Sequence, residues 1–319
     1  MTNLLFLLLG VGLLTIGGEA LIRGSLAASQ RLGVSPLLSG LVIVGFGTSA
    51  PELVVSVNAA LNQQPDIAVG NVVGSNIGNV LLILGICALI APLTIKPLAL
   101  RRDAVIVVVA SILFLVLVGG SALGRTDGVI FLTALVAYLV WAYWSERIHA
   151  PATTLNKAEA EELTALPKSI GGTVAAVIIG LLLLISGSQV LLIGAVGIAE
   201  SLGVSEAVIG LTLVAVGTSL PELSISVIAA LRRHADVAVG NILGSNIFNL
   251  LGILGVSALL QPLPVHARIL QFDQWVLLVA SLLLFLFLYT GRRLSRGEGG
   301  ILLATYGVYV GLSFTAFGS

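Results

Sequence analysis

The sequence predicts an all-α integral membrane protein of about ten transmembrane helices, built as two five-helix repeats of inverted topology. Three observations predict it. Of the 319 residues 57% are hydrophobic and only 9% charged, with a mean hydropathy of +1.12, against roughly a quarter charged in a soluble domain. A stretch beginning at Gly33 recurs from Gly203 at a constant offset of 170. Lys and Arg collect at alternate junctions between the apolar runs.

The spans follow from apolar runs of about 20 residues between polar punctuation. They fall at 3–30, 35–61, 67–91, 103–121, 128–145, 169–199, 205–231, 237–260, 273–290 and 300–317. Short alternating segments of the kind a transmembrane β-barrel needs are not visible. The opening "MTNLLFLLLG" lacks the basic start and small-residue cleavage site of a signal peptide and reads as the first span. Residues 1–145 then form the first repeat and 169–319 the second. The polar stretch 146–168, with charges of both signs, is a solvated cytoplasmic linker containing a short amphipathic helix.

Orientation comes from the positive-inside rule. Arg23, Arg31, Lys96, Arg101, Arg102, Arg147, Lys157, Lys168, Arg232, Arg233, Arg292, Arg293 and Arg296 lie at one set of junctions, and only Arg125 and Arg268 at the other. Both termini are therefore expected outside a prokaryotic cytoplasmic (inner) membrane.

The repeat is dense. From Gly33 and from Gly203, about 31 of 53 aligned positions are identical without a gap. Five spans per repeat is odd, so the second copy enters the membrane from the other side. Loop charge agrees: "NQQPD" carries no basic residue and its counterpart "RRHAD" carries two. Transporter substrate sites lie near the midplane where such repeats meet.

Identity concentrates in polar motifs. "GTSAPE" and "GTSLPE" place Glu52 and Glu222 near the middle of their spans, where an ionisable group costs about 2.5–3.5 kcal/mol on insertion scales. No Lys or Arg lies in those spans to compensate them, which leaves a bound cation, a proton or a water-filled path. Pro51 and Pro221 lack an N–H, so the carbonyls of Gly47 and Gly217 lose their helical partners. Gly45 loosens the same turn. Thr48, Ser49, Thr218 and Ser219 add hydroxyl oxygens beside the acids. The second motif, "GNVVGSNIGN" and "GNILGSNIFN", puts Ser75 with Asn79, and Ser245 with Asn249, on one helical face each. Asn76 and Asn246 point elsewhere and tie helices together. Gly70, Gly74, Gly240 and Gly244 form small-residue faces for close backbone approach.

Oxygen donors and two carboxylates, without thiolates or imidazoles, suit hard cations such as Ca2+ and Na+. Two negative charges neutralise one divalent ion, and its departure requires Na+ or protons in exchange. Cys87 reads as a small packed hydrophobe. His149, His234 and His266 lack metal-ligand spacing. No nucleic-acid motif is present, and no His or Lys in the spans could pair with Ser49 or Ser219 as a catalytic base, so the chain is not read as an enzyme. Glu19 and Arg23 read as a helix-end ion pair, and Asp103 and Asp273 as helix-start acids.

The paired motifs "GTSAPE…GNVVGSN" and "GTSLPE…GNILGSN" resemble the two α-repeats of the cation/calcium exchanger superfamily, especially bacterial calcium/sodium antiporters. The resemblance implies Ca2+/Na+ antiport, with sliding of the first and sixth helices alternating access. It implies a ligand set of Glu52, Glu222, Thr48, Ser49, Thr218, Ser219, Ser75, Ser245, Asn79 and Asn249, with Gly45 and Ala215 completing it. The sequence departs from sodium/calcium exchangers at Asn249, where they resemble the pattern with an aspartate. Ca2+/H+ exchange by the same glutamates is the alternative. The expected partners are Ca2+, Na+ or H+ as transported ions and the lipid bilayer; no separate cofactor, nucleic acid or protein partner is expected.

Overall fold

A computed structural model describes residues 2–94, 97–148, 166–202, 217–291 and 293–317. The described chain is helical almost throughout. Helix α1 is Thr2–Leu32. Helices α2 (Pro36–Thr48) and α3 (Ala50–Leu61) form one line bent by 45°. Then come α4 (Pro65–Ile90), α5 (Pro97–Val118) and α6 (Arg125–Ile148). The second half has α7 (Ile170–Ser201), α8 (Leu220–Leu231), α9 (Ala235–Leu260), α10 (Ile269–Thr290) and α11 (Arg296–Phe317).

Local chemistry sets these limits. The Ser35 hydroxyl caps α2 by accepting from Leu38 N at 3.1 Å, and Ser169 caps α7 by accepting from Gly172 N at 2.9 Å, each satisfying an orphan amide of the first turn. Proline occupies an early position of α2, α3, α4 and α8, where its missing N–H costs nothing.

Among the described residues six helices are long and apolar enough to cross a membrane, namely α1, α4, α6, α7, α9 and α10, with the bent α2–α3 line as a seventh. Helices α5 and α11 have 22 residues each. Of the expected span 205–231, residues 205–216 lie outside the described set, as do 149–165 of the expected linker.

Burial places α4 and α9 at the centre. In their most apolar windows 67% and 83% of residues are buried, against 22% for α7. Helices α1 and α7 lie along the outside as an antiparallel pair. Glycines recur at Gly10, Gly17 and Gly24 on one and at Gly180, Gly187 and Gly194 on the other. A Cβ on Gly180 would stand 2.7 Å from Leu21 N and 2.9 Å from the Gly17 carbonyl oxygen, so the backbones touch directly. Gly180→Ala is therefore expected to destabilise the purified protein by about 1–3 kcal/mol, the usual cost of overpacking. A melting curve indistinguishable from the wild type would contradict this contact.

Two small antiparallel ladders join loops of the two halves. Strand β1 (Leu93–Thr94) pairs with β4 (Arg293–Leu294), and β2 (Ala122–Leu123) with β3 (Leu263–Pro264). In each half the helix that carries the second motif, α4 or α9, is followed by a loop that closes on a loop of the other half.

Three sequence readings are corrected here. Asp103 is not at a helix start, because α5 begins six residues earlier at Pro97. It is fully buried, ion-paired with Arg102 Nε at 2.7 Å and accepting from Tyr138 Oη at 2.9 Å. Asp273, inside α10, accepts from Arg268 Nε at 3.1 Å and from Tyr309 Oη at 3.1 Å. These aspartates pin α5 to α6 and α10 to α11, since an unpaired buried carboxylate would be costly. Glu19 lies within α1 rather than at its end. Besides Arg23 at 2.8 Å it binds Arg232 at 3.1 Å, just beyond α8.

Candidate ion-binding site

The site is built where the chain cannot continue a regular helix. Ser49 leaves the helical region at φ −80° and ψ 8°, and Ser219 at φ −89° and ψ 7°. Two residues after each comes a proline, Pro51 or Pro221, that supplies no amide, and the line breaks there. Glu52 and Glu222 then stand in the first turn of α3 and α8. Both are buried, at 1% and 0% exposure.

Each acid is held by the serine of the other half. Ser219 Oγ donates to Glu52 Oε1 at 3.1 Å, and Ser49 Oγ donates to Glu222 Oε1 at 3.0 Å. The two carboxylates interact electrostatically, and Thr218 sits beside the Glu52 carboxylate. Thr48 and Ser245 stand beside that of Glu222. Ser219 Oγ also meets Ser75 Oγ at 3.4 Å. The Gly45 carbonyl oxygen accepts from Ser245 Oγ at 3.0 Å and from Thr48 Oγ1 at 3.3 Å.

The asparagines form a cross-linked set. Asn76 Nδ2 donates to the Asn246 carbonyl at 3.2 Å, and Asn246 Nδ2 returns to the Asn76 carbonyl at 3.3 Å. Asn79 Nδ2 donates to Asn246 Oδ1 at 3.0 Å, and Asn249 Nδ2 to Asn76 Oδ1 at 3.2 Å. Asn76 and Asn246 thus tie α4 to α9, as the sequence suggested. In doing so they fix the side-chain oxygens of Asn79 and Asn249 in place.

Five buried side-chain oxygens in this cluster have no hydrogen-bond partner among the described residues: Glu52 Oε2, Glu222 Oε2, Asn79 Oδ1, Asn249 Oδ1 and Thr218 Oγ1. Burying such groups unsatisfied is expensive, and a cation is the species that oxygens alone can satisfy. Among the described residues no group of three or more His, Cys, Asp or Glu gathers, so the formal charge here is that of two carboxylates. Of the residues predicted from sequence, Ala215 lies outside the described set; the others named above converge on α2–α3, α4, α8 and α9.

Two contributions were at most partly legible in the sequence, which puts Asn71 and Asn241 on a face near Ser75 and Ser245, one turn earlier, without giving their partners. Asn71 donates to the Glu52 carbonyl at 3.3 Å and to Ser56 Oγ at 2.9 Å; Asn241 does the same to the Glu222 carbonyl at 3.2 Å and Ser226 Oγ at 2.8 Å. Both lock the acid-bearing turn onto the following helix. The conserved spacing between the two copies held the signal, since Ser56 and Ser226 also stand 170 apart. The other contribution is local winding. Wider π-turns run over Gly40–Gly45, Asn79–Ile83 and Phe248–Ile253, and such bulges redirect side chains at functional positions.

A helical membrane bundle with a paired-carboxylate, oxygen-lined centre is the class that fold and site define together. Comparison narrows it. The model of the sodium/calcium exchanger protein family matches residues 2–144 and 172–315. The chain is 38% identical to the putative antiporter CaxA of Alkalimonas amylolytica over 99% of its own length and 98% of that protein. It is 34% identical to the inner membrane protein YrbG of Escherichia coli over 96% and 94%. A solved structure of the sodium-calcium exchanger NCX_Mj, soaked with zero Na+ and Ca2+, superposes with a TM-score of 0.82 at 32% identity, covering 97% of this chain and 98% of that one. The chain belongs to the sodium/calcium exchanger family. It is an integral membrane antiporter.

Proposed function

We propose that this antiporter exchanges Ca2+ for Na+ at one central site whose charged ligands are Glu52 and Glu222. The observation that carries the reading is the state of those two acids. Each has one oxygen held by the opposite half and the other oxygen buried without a partner among the described residues. The hydroxyls of Thr48, Ser49, Ser75, Thr218, Ser219 and Ser245, the amide oxygens of Asn79 and Asn249, and the carbonyls of Gly45 and Ala215 complete the set. Ca2+ takes 6–8 oxygens, and two carboxylates balance one such ion or two monovalent ones. An unloaded site would leave two buried negative charges uncompensated, which disfavours reorientation without an ion. Exchange rather than leak follows from that penalty.

The architecture we propose for this is ten spans in two inverted halves, 1–145 and 169–319, joined by a cytoplasmic linker at 146–168. Both termini lie outside a prokaryotic inner membrane. Reciprocal bonds at matched positions support the two-fold relation. The ladders support the orientation: β1 and β4 belong to Lys/Arg-rich junctions, while β2 and β3 belong to the opposite set. Helices α1 and α7 slide together past the core and expose the site to either side in turn.

Radioactive Ca2+ uptake into proteoliposomes tests this. An outward Na+ gradient at fixed pH is expected to drive uptake. Uptake driven by an outward proton gradient without Na+, and not by Na+, would replace the reading with Ca2+/H+ exchange, with Glu52 and Glu222 carrying the protons.

A further inference from the structure

A cleft of ≈ 510 Å³ is lined by the loop Ile90–Thr94, the end of α8, the turn at Arg233 and the first residue of α11, Arg296. It lies apart from the carboxylate site. We propose that this cleft binds a phosphate group, presented either by an anionic phospholipid headgroup or by a soluble phosphate.

The two arginines carry the argument. Arg102, Arg232 and Arg268 each find a carboxylate. Arg233 has no ion pair or side-chain hydrogen bond among the described residues, and Arg296 makes a single long one, Nη2 to the Ile90 carbonyl at 3.4 Å. Neither nearby acid neutralises them inside the cleft. Glu298 accepts from Ser295 N and Oγ as the cap of α11, and neither it nor Asp236 lines the cleft. Arg233 and Arg296 line one concave surface, and guanidinium forks are suited to the oxygens of a phosphate. Helices α9 and α11 both begin at this cleft, and the positive ends of their dipoles have the same polarity as the arginines.

The fold supplies its own control. Gln63 occupies the turn that corresponds to Arg233, with the same left-handed backbone, φ 59° against 62°. A neutral residue therefore serves the turn of Arg233 in the first half, and that turn folds without its charge. In the last helix of each half the structural offset is 171, since Gly124 N binds Asp127 as Ser295 N binds Glu298, so the counterpart of Arg296 is Arg125 at the opposite junction. Topology alone asks only for basic residues somewhere in the loop. It does not ask them to face one cavity. The remaining lining is apolar, including Leu93 and the 64%-exposed Leu231, and the volume exceeds what an ion alone would fill.

The test uses the purified full-length protein in detergent. Its melting temperature is followed on titration with phosphatidylglycerol against phosphatidylcholine, and with inorganic phosphate against chloride at matched ionic strength. Stabilisation by phosphatidylglycerol alone identifies the headgroup as the source; stabilisation by inorganic phosphate as well identifies a soluble phosphate. Either effect is expected to weaken at least tenfold in apparent affinity in Arg233→Gln/Arg296→Gln. It is expected to persist in Arg293→Gln, which lies in the same junction but outside the cleft. If the double variant does not fold, Arg233→Gln and Arg296→Gln singly should each weaken binding at least threefold, and Arg233→Lys/Arg296→Lys should retain part of it. No stabilisation by either source, or stabilisation undiminished in the glutamine variants, overturns the proposal.

Discussion

Glu52→Gln is expected to lower Ca2+ exchange at least a hundredfold, and Glu222→Gln to do the same, while both proteins still insert and fold. The expectation comes from the charge count. Among the described residues only these two carboxylates gather at the centre, so removing one leaves a bound Ca2+ with an uncompensated positive charge in a dry environment. One carboxylate facing Ca2+ at about 2.4 Å contributes on the order of 10 kcal/mol at an effective dielectric constant of about 20. Desolvation offsets much of this. A net loss of about 3 kcal/mol is already a hundredfold in affinity, so exchange should fall by at least that factor.

Folding should survive, because glutamine is nearly isosteric and its carbonyl oxygen still accepts from Ser219 Oγ or Ser49 Oγ. Removing a buried charge also relieves repulsion between the two acids. Size-exclusion profiles and melting curves check the folding half, and Ca2+ uptake in proteoliposomes checks the other. Near-normal exchange by either variant would remove Glu52 and Glu222 as the shared ligands.

Much of this site was legible because it is written twice. The duplicated "GTS-PE" and "GN--GSN" motifs singled out Glu52, Glu222 and their neighbours before any coordinates. A charge placed mid-span after a proline has few structural reasons to exist. What the motifs could not give was pairing. That Ser49 serves Glu222 and Ser219 serves Glu52, rather than each its own acid, depends on how two distant segments meet. Local periodicity carries no such information. The same limit hid Asp103 and Asp273, whose role rests on a tyrosine 35 or 36 residues away. Glu19 illustrates it again, since its helical neighbour Arg23 was visible and its partner Arg232 was not. The π-turns left no periodic signature either, because one wider turn barely shifts an apolar pattern.

Gly244→Ala should damage the protein as severely as any single methyl can. Helix α2 crosses α9 with Gly45 meeting Asn241 and Ser245, and Gly240 and Gly244 meeting Leu37 and Leu41. A Cβ on Gly244 would stand 2.1 Å from the Leu41 carbonyl oxygen and 2.7 Å from its carbon. Both atoms are backbone, so no rotamer change relieves the clash and the helices must move apart by about 1 Å to reach ordinary contact. That movement stretches Ser245 Oγ to Gly45 O, now 3.0 Å, and Thr48 Oγ1 to Asn241 Oδ1, now 3.1 Å, beyond hydrogen-bonding range. Overpacking alone costs about 1–3 kcal/mol, and breaking two buried bonds adds about 1 kcal/mol each. Exchange should therefore fall at least tenfold together with a lowered melting temperature. Gly307→Ala is the matched control, because Gly307 is exposed with nothing within 4 Å of its added Cβ. Wild-type exchange and stability in Gly244→Ala would mean that the α2–α9 crossing is looser than its backbone contact implies. The glycine would then have to be explained by something other than close approach.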